Sequence, residues 1–220
     1  RHEYHYSGRM TMHENLTKLL STHGQPLDGP RIFQEEIGWP NTDLGLDIRD
    51  LVNLNDGLHL FERSVLVFPR SLFDSICSVA QWNSTDGWRR LYEIDSSMIF
   101  FAEDVFSGQF CTDGKSIFKF DPESGQFDVM ASSLDAWAKK MLEDPEFYSG
   151  SPILREWEAT VGSLQLTDRL AAKQPFIMGG SYSISNLMSM DRSSAMKYHG
   201  EIYRQIKDLP DGSQVVFDVE

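Results

Sequence analysis

The chain has 220 residues, a length that one domain with an appended segment, or two small domains, fills. Apolar residues make up 40% and aromatic residues 12%, with 14 Phe and 5 Trp, which is enough large apolar surface for a core and excludes a disordered chain. A formal net charge of -13 argues against nucleic acid and anionic lipid as ligands, because phosphate binding needs Lys and Arg to displace counterions.

Residues 1–9, beginning Arg1-His2-Glu3-Tyr4-His5, read as a vector-derived leader, with the native start expected at Met10 or Met12. His2 and His5 have a metal-binding spacing, but no Cys or Asp ligand supports it. Glu14 to Leu20 is a short helical stretch, followed by the loop Gln25-Pro26-Leu27-Asp28-Gly29-Pro30 and a second break at Trp39-Pro40. Asp47 to Asn55 has apolar residues at Ile48, Leu51, Val52 and Leu54, which predicts a helix stopped by Asn55-Asp56-Gly57. Leu58 to Pro69 reads as one strand, rich in Val and ended by proline. Leu72 to Ala80 is a helix candidate, and Gln81 to Arg90 is a polar turn region between Trp82 and Trp88.

Met98 to Ala102, Phe106 to Cys111, Ser116 to Phe120 and Gln126 to Met130 follow as strands of a meander. Thr112-Asp113-Gly114-Lys115 has the Asp-Gly signature of a type I′ hairpin turn, and Asp121-Pro122-Glu123-Ser124-Gly125 makes the next turn. Ser132-Ser133-Leu134-Asp135 opens a helix, capped by a serine, that runs to about Glu143, with Leu134, Trp137, Ala138 and Met141 on one face, and Pro145 ends it. Residues 151–160 form a weaker helix and Gly162 to Gln174 a loop. A strand near Ser181 to Leu187, a helix from Ser193 to Ile206, a turn at Leu209-Pro210-Asp211-Gly212 and a closing strand over Gln214 to Val219 complete the reading. The predicted class is α+β: a twisted, mainly antiparallel sheet with helices packed against it over residues 10–150, and a strand-helix-strand extension over 151–220 packed on the same domain.

Several of these segments, taken in order, resemble the SUKH superfamily, which includes a fungal cell-wall synthesis regulator and bacterial toxin-immunity proteins. The residues that carry the resemblance are Leu54-Asn55-Asp56-Gly57 before Val65-Leu66-Val67-Phe68, Ile99-Phe100-Phe101-Ala102-Glu103-Asp104 leading to Gly108-Gln109-Phe110, Ile117-Phe118-Lys119-Phe120-Asp121, and Ala131-Ser132-Ser133-Leu134-Asp135-Ala136-Trp137. Together they span about residues 45–145. The resemblance implies a sheet with helices packed on it, a binding function, and no catalytic residue to carry over.

The residues that could carry chemistry point the same way. There is no Gly-x-Ser-x-Gly elbow and no phosphate-binding glycine loop, Gly179-Gly180-Ser181 being too short for one. Cys77 and Cys111 fit neither a disulfide framework nor a CxxC knuckle, so they read as buried thiols of a cytoplasmic protein. Neither a span of about 18 apolar residues nor a signal peptide is readable. His59 reads as a sheet residue or, less simply, as a base. The paired carboxylates Glu35-Glu36, Glu103-Asp104 and Glu156-x-Glu158 read as solvated charge or as a hydrolase pair, although Glu103 and Asp104 point to opposite faces of a continuing strand. Neither a cofactor nor a metal is expected.

The negative charge is concentrated: residues 31–60 carry six acids and two bases, and residues 91–150 carry twelve and four. Such a field attracts a basic protein partner. Asp56, Trp82, Trp88, Glu103 and Asp104 are therefore the expected partner-binding residues, with both Trp residues alternatively readable as core. The functional expectation is a non-enzymatic immunity protein that neutralises a basic toxin domain. Its alternatives are a regulatory scaffold in cell-wall synthesis signalling and a carboxylate-dependent hydrolase.

Overall fold

A computed structural model describes residues 14–34, 37–73, 76–210 and 212–213. Helix α1 (Glu14–His23) buries Leu16, Leu19 and Leu20, spaced three and four apart on one face. Its first turn is capped from a distant part of the chain, since Asp135 accepts from the Leu16 amide at 3.0 Å and from Asn15 Nδ2 at 2.8 Å. Two short strands follow, β1 (Gln25–Pro26) and β2 (Arg31–Ile32).

Helix α2 (Asp43–Asn53) begins before the expected Asp47, because Thr42 caps it by accepting from the Gly45 amide at 3.1 Å. The turn behind it holds Asn55, Asp56 and Gly57 at φ of 54°, 55° and 84°. Glycine is needed at the last of these, where a Cβ would lie 2.8 Å from the Pro69 backbone. The stretch from Leu58 to Pro69 is a hairpin and not one strand: β3 (Leu58–Leu60) and β4 (Val65–Val67) pair antiparallel across Phe61, Glu62 and Arg63, all at positive φ. That turn contains no Gly, Asn or Pro, so apolar periodicity reads straight through it.

The helix expected from Leu72 is instead β5 (Leu72–Phe73), paired with β2, followed by the short α3 (Val79–Trp82). Helix forms only where Ser78 and Gln81 cap each other's backbone. The meander is present as β6 (Ile99–Asp104), β7 (Gln109–Thr112), β8 (Ile117–Asp121) and β9 (Gln126–Ala131). The β7–β8 link has four residues, with Thr112 paired to Ile117 and Asp113 accepting from the Lys115 and Ser116 amides, both at 2.8 Å. Gly114 alone there has positive φ, which excludes the type I′ turn read from Asp-Gly.

Helix α4 (Leu134–Glu143) is capped by Ser133 and lays Trp137 edge-on against Phe101 and Phe110 at 5.7 Å. Pro145 stops α4 and also opens α5 (Pro145–Ser149), which passes through Gly150 into α6 (Ser151–Thr160). The segment expected as loop contains β10 (Asp168–Ala172), antiparallel to β11 (Leu187–Asp191), which lies just beyond the strand expected near Ser181 to Leu187. Asp168-Arg169-Leu170-Ala171-Ala172 has poor strand propensity; burial, the β11 ladder and a Leu170 amide bond to the Val105 carbonyl at 2.8 Å hold it extended. Asp191 then caps α7 (Arg192–Ile206). The expected closing strand, residues 214–219, and Asp211 of the last turn lie outside the described residues.

The architecture is α+β. Seven strands in the order β1-β3-β4-β6-β7-β8-β9 form one sheet with antiparallel neighbours throughout. The main apolar core packs on this sheet and draws on α1 to α4, Trp88, Tyr92 and Met196 of α7, and a smaller cluster around Leu154, Trp157, Leu170 and Leu187 underlies the β10–β11 unit. An ionic contact joins the two: Glu103 on β6, with 0% of its side chain exposed, lies 2.6 Å from Arg169 of β10 and 3.4 Å from Arg192 of α7. Burial pushes the Arg169 guanidinium down to about 10.

Glu103→Gln keeps the side chain's shape and leaves two buried guanidinium groups without a counter-charge. It is expected to cost about 3–5 kcal/mol in urea denaturation. A cost below about 1 kcal/mol, the range of exposed pairs, would mean that this contact does not join the two units.

Candidate functional site

The five residues expected to meet a partner are all buried. Trp82 donates from Nε1 to Gln109 Oε1 at 2.8 Å and packs on Phe68 and Trp88, and Trp88 packs edge-on against Phe100 at 4.9 Å. Both tryptophans are core residues, because the polar turn between them folds back over the sheet. Asp56 fastens the end of α2, accepting from the Ser71 amide at 2.8 Å with Arg31 at 4.0 Å. Glu103 is committed to Arg169 and Arg192. Asp104 accepts from the Phe106 and Gly108 amides at 2.8 and 2.9 Å and forms a close ion pair with Lys119. Glu103 and Asp104 do part to different partners, as strand geometry requires, but neither is solvated charge.

The other sequence candidates do not converge. Glu158 pairs with Arg63 at 2.6 Å, and Glu35 and Glu36 lie outside the described residues. His59 is buried in the sheet, and burial together with Arg169, Arg192 and Arg63 holds it down at about 3, so it stays neutral. Cys77 and Cys111 are free thiols; burial raises Cys77 to about 11 and Cys111 well above its ordinary value, which leaves both poorly nucleophilic at neutral pH. Among the described residues no three His, Cys, Asp or Glu side chains come together as a metal site.

The tertiary structure instead builds a cleft of about 1060 Å³ between the β8–β9 end of the sheet, α5, the start of α6, and the segment that connects β10 to β11. Five carboxylates, Asp104, Asp121, Glu123, Asp128 and Glu146, line it against two lysines, Lys119 and Lys140. Large apolar side chains stand at its edges, with Phe147 75% and Tyr182 57% exposed. Tyr182 stacks on Phe176 at 3.9 Å and 8°, and Phe106 meets both rings edge-on at 5.5 Å.

The β8–β9 turn turns one acid inward. Asp121 accepts from the Glu123 amide at 2.9 Å and from Ser124 Oγ at 2.7 Å, which folds the turn so that Glu123 is only 3% exposed. Glu123 Oε2 accepts from the Ile177 amide at 2.8 Å, while Oε1 lies 3.7 Å from His199 Nδ1 without a hydrogen bond. Burial raises the Glu123 carboxyl to about 7, against the pull of the Ile177 and Phe176 amides, and lowers His199 to about 4. The arrangement is a neutral imidazole beside a carboxyl poised to ionise near neutrality, at the floor of an acid-rich groove. The sequence offered no signal for Glu123, which reads as an ordinary turn residue. His199 was visible as a histidine on the buried stripe of α7, after Ala195 and Met196.

No family model matches the chain, and no curated protein matches it. Among solved structures it is similar to Atu4351 from Agrobacterium tumefaciens, with a TM-score of 0.56 and 13% identity over 86% of this chain and 88% of that one. At that identity the likeness shows a shared fold. Among the described residues no helix is long and apolar enough to cross a membrane.

The two buried groups give opposing pH dependences. The folded Glu123 holds its proton up to about 7 against an ordinary value of 4.5, so its contribution to stability is present below pH 4.5 and lost as pH rises through 7. His199 contributes stability above its ordinary 6.5 that is lost as pH falls through about 4. Glu123→Gln removes the first dependence alone. The stability of this variant relative to wild type should therefore rise from pH 4.5 to 7, by up to about 3 kcal/mol, in urea denaturations at a series of pH values. A difference that does not vary with pH would mean that Glu123 titrates as an ordinary surface acid.

Proposed function

We propose that this chain is a non-enzymatic cytoplasmic binding protein, an immunity protein whose acidic cleft takes a basic segment of a cognate bacterial toxin. The observation that carries this reading is the cleft itself, with five carboxylates against two lysines and exposed aromatic side chains at its edges. Exposed rings are the side chains that anchor protein interfaces, and the surrounding acids select a cationic partner. The net charge of -13 adds long-range attraction, and two unpaired thiols suit a reducing compartment. The order of segments resembling the SUKH superfamily suits a binding protein, an immunity protein and a regulatory scaffold alike.

The reading of a carboxylate-dependent hydrolase now rests on one specific observation, a Glu123 carboxyl that titrates near neutrality inside a cleft. It requires turnover that Glu123→Gln abolishes while the fold is kept. The binding reading requires no turnover.

Asp128 and Glu146 are exposed on the cleft walls, so charge reversal there spares the core. Wild-type protein used as bait in its native lysate should retain one basic partner in stoichiometric amount, and D128K/E146K should slow association with it about tenfold or more. Association should also slow as salt rises from about 0.05 to 0.5 M, across which the Debye length shrinks severalfold. Producing that partner alone should arrest growth, and co-producing the wild-type chain should restore it. A partner bound equally by the double variant overturns the cleft as the interface. A partner harmless to the cell overturns immunity in favour of a scaffold.

A further inference from the structure

Buried polar atoms in a folded chain are nearly all hydrogen bonded, and each exception carries a desolvation cost that a bound group can relieve. The floor of the cleft concentrates such exceptions. Among the described residues, Glu123 Oε1 and both ring nitrogens of His199 have no hydrogen-bond partner, although the two residues are only 3% and 1% exposed. Both residues line the cleft, and Glu123 Oε1 and His199 Nδ1, 3.7 Å apart, are closed off from solvent at its floor, so a ligand group pairs with them by wedging in beside this pair. The carboxylate offers an acceptor and the neutral imidazole a second one, which matches a group that carries several N–H donors and a positive charge.

The surroundings narrow the group further. Lys119, one of the two lysines of the cleft, is already paired with Asp104 and does not neutralise Glu123. Among the described residues, the titratable groups that face Glu123 are Asp121 at the end of β8, Tyr92, Tyr182 from the β10–β11 connection, and Tyr198 and His199 on α7; none of these is a cation at neutral pH. Beside them the Phe176–Tyr182 stack, braced by Phe106, presents a flat aromatic wall. A planar guanidinium stacks on such a ring and donates in its own plane to a carboxylate, whereas an ammonium is a compact, strongly hydrated point charge.

We propose that Glu123 and His199 form the floor of a seat for one arginine side chain, its guanidinium pairing with the Glu123 carboxylate and lying against the Phe176–Tyr182 wall. This rests on the reading of the cleft as the receptor for a basic segment, and names the side chain that anchors it. Seating the cation ionises Glu123, so its proton is released to solvent as the ion pair forms.

The test uses N-acetylarginine methylamide as probe, titrated into the full chain and followed by NMR and calorimetry. The arginine derivative should bind about tenfold more tightly than its neutral citrulline isostere, and Glu123→Gln should remove that difference. Near pH 6, where the folded carboxyl is protonated, binding should release close to one proton, read from the dependence of the heat on the buffer's ionisation enthalpy. This measurement needs the wild-type chain alone and holds if the variant folds poorly. Absence of saturable binding, equal affinity for the citrulline derivative, or undiminished binding to Glu123→Gln overturns the seat, and equal affinity for the lysine derivative overturns its guanidinium selectivity. A chain that seats the probe but captures no basic partner keeps the seat and loses the partner reading. One that captures its partner and ignores the probe does the reverse.

Discussion

A carboxylate with no exposure to water, Glu103, holds two arginines that arrive from far along the chain, and the rest of the molecule is arranged around that contact. Moving an ion out of water costs several kcal/mol, a cost offset only when opposite charges and hydrogen bonds replace the lost solvent. Arg169 and Arg192 supply the charges, and Gln109 supports the carboxylate from the next strand while its other end receives the Trp82 indole. The arginines are tied to backbone in turn: Arg169 donates to the Asp168 carbonyl at 2.7 Å, and Arg192 to the Leu166 and Thr167 carbonyls. A network that is fully assembled only when β10 and α7 are docked fixes their place on the sheet.

The cleft follows from that docking. With α7 anchored at Arg192, its buried stripe carries His199 to the β8–β9 turn. The β10–β11 connection brings Ile177 against Glu123 and sets Phe176 beside Tyr182. The adjacent acids Glu103 and Asp104 divide the work: one joins the C-terminal unit to the sheet, and the other, through Lys119, reaches the wall of the cleft. The strong negative charge of residues 91–150 is thus partly spent inside, and of the acids that stay exposed Asp121, Asp128 and Glu146 line the cleft.

Much of the fold was legible because its causes are local. The meander from Ile99 to Ala131 and the helix after Ser133 are written in alternation, turn residues and a serine cap, all of which act within a few positions. Where the cause is not local, the reading failed. The Phe61-Glu62-Arg63 turn has no turn-forming residue, and β10 is extended because β11 and Val105 hold it so. Of the site little was legible: of the five residues singled out Asp104 lines the cleft, paired there with Lys119, the others are core or internal struts, and Glu123 carried no mark.

The sequence by itself determined the class of fold, the surplus of negative charge and the region that carries it, since composition and short-range periodicity need no knowledge of partners. Which acid is buried, which is paired and which faces the cleft was decided by the tertiary structure. Desolvation and ion pairing depend on neighbours in space, and for Glu103 and Glu123 those neighbours come from the last third of the chain.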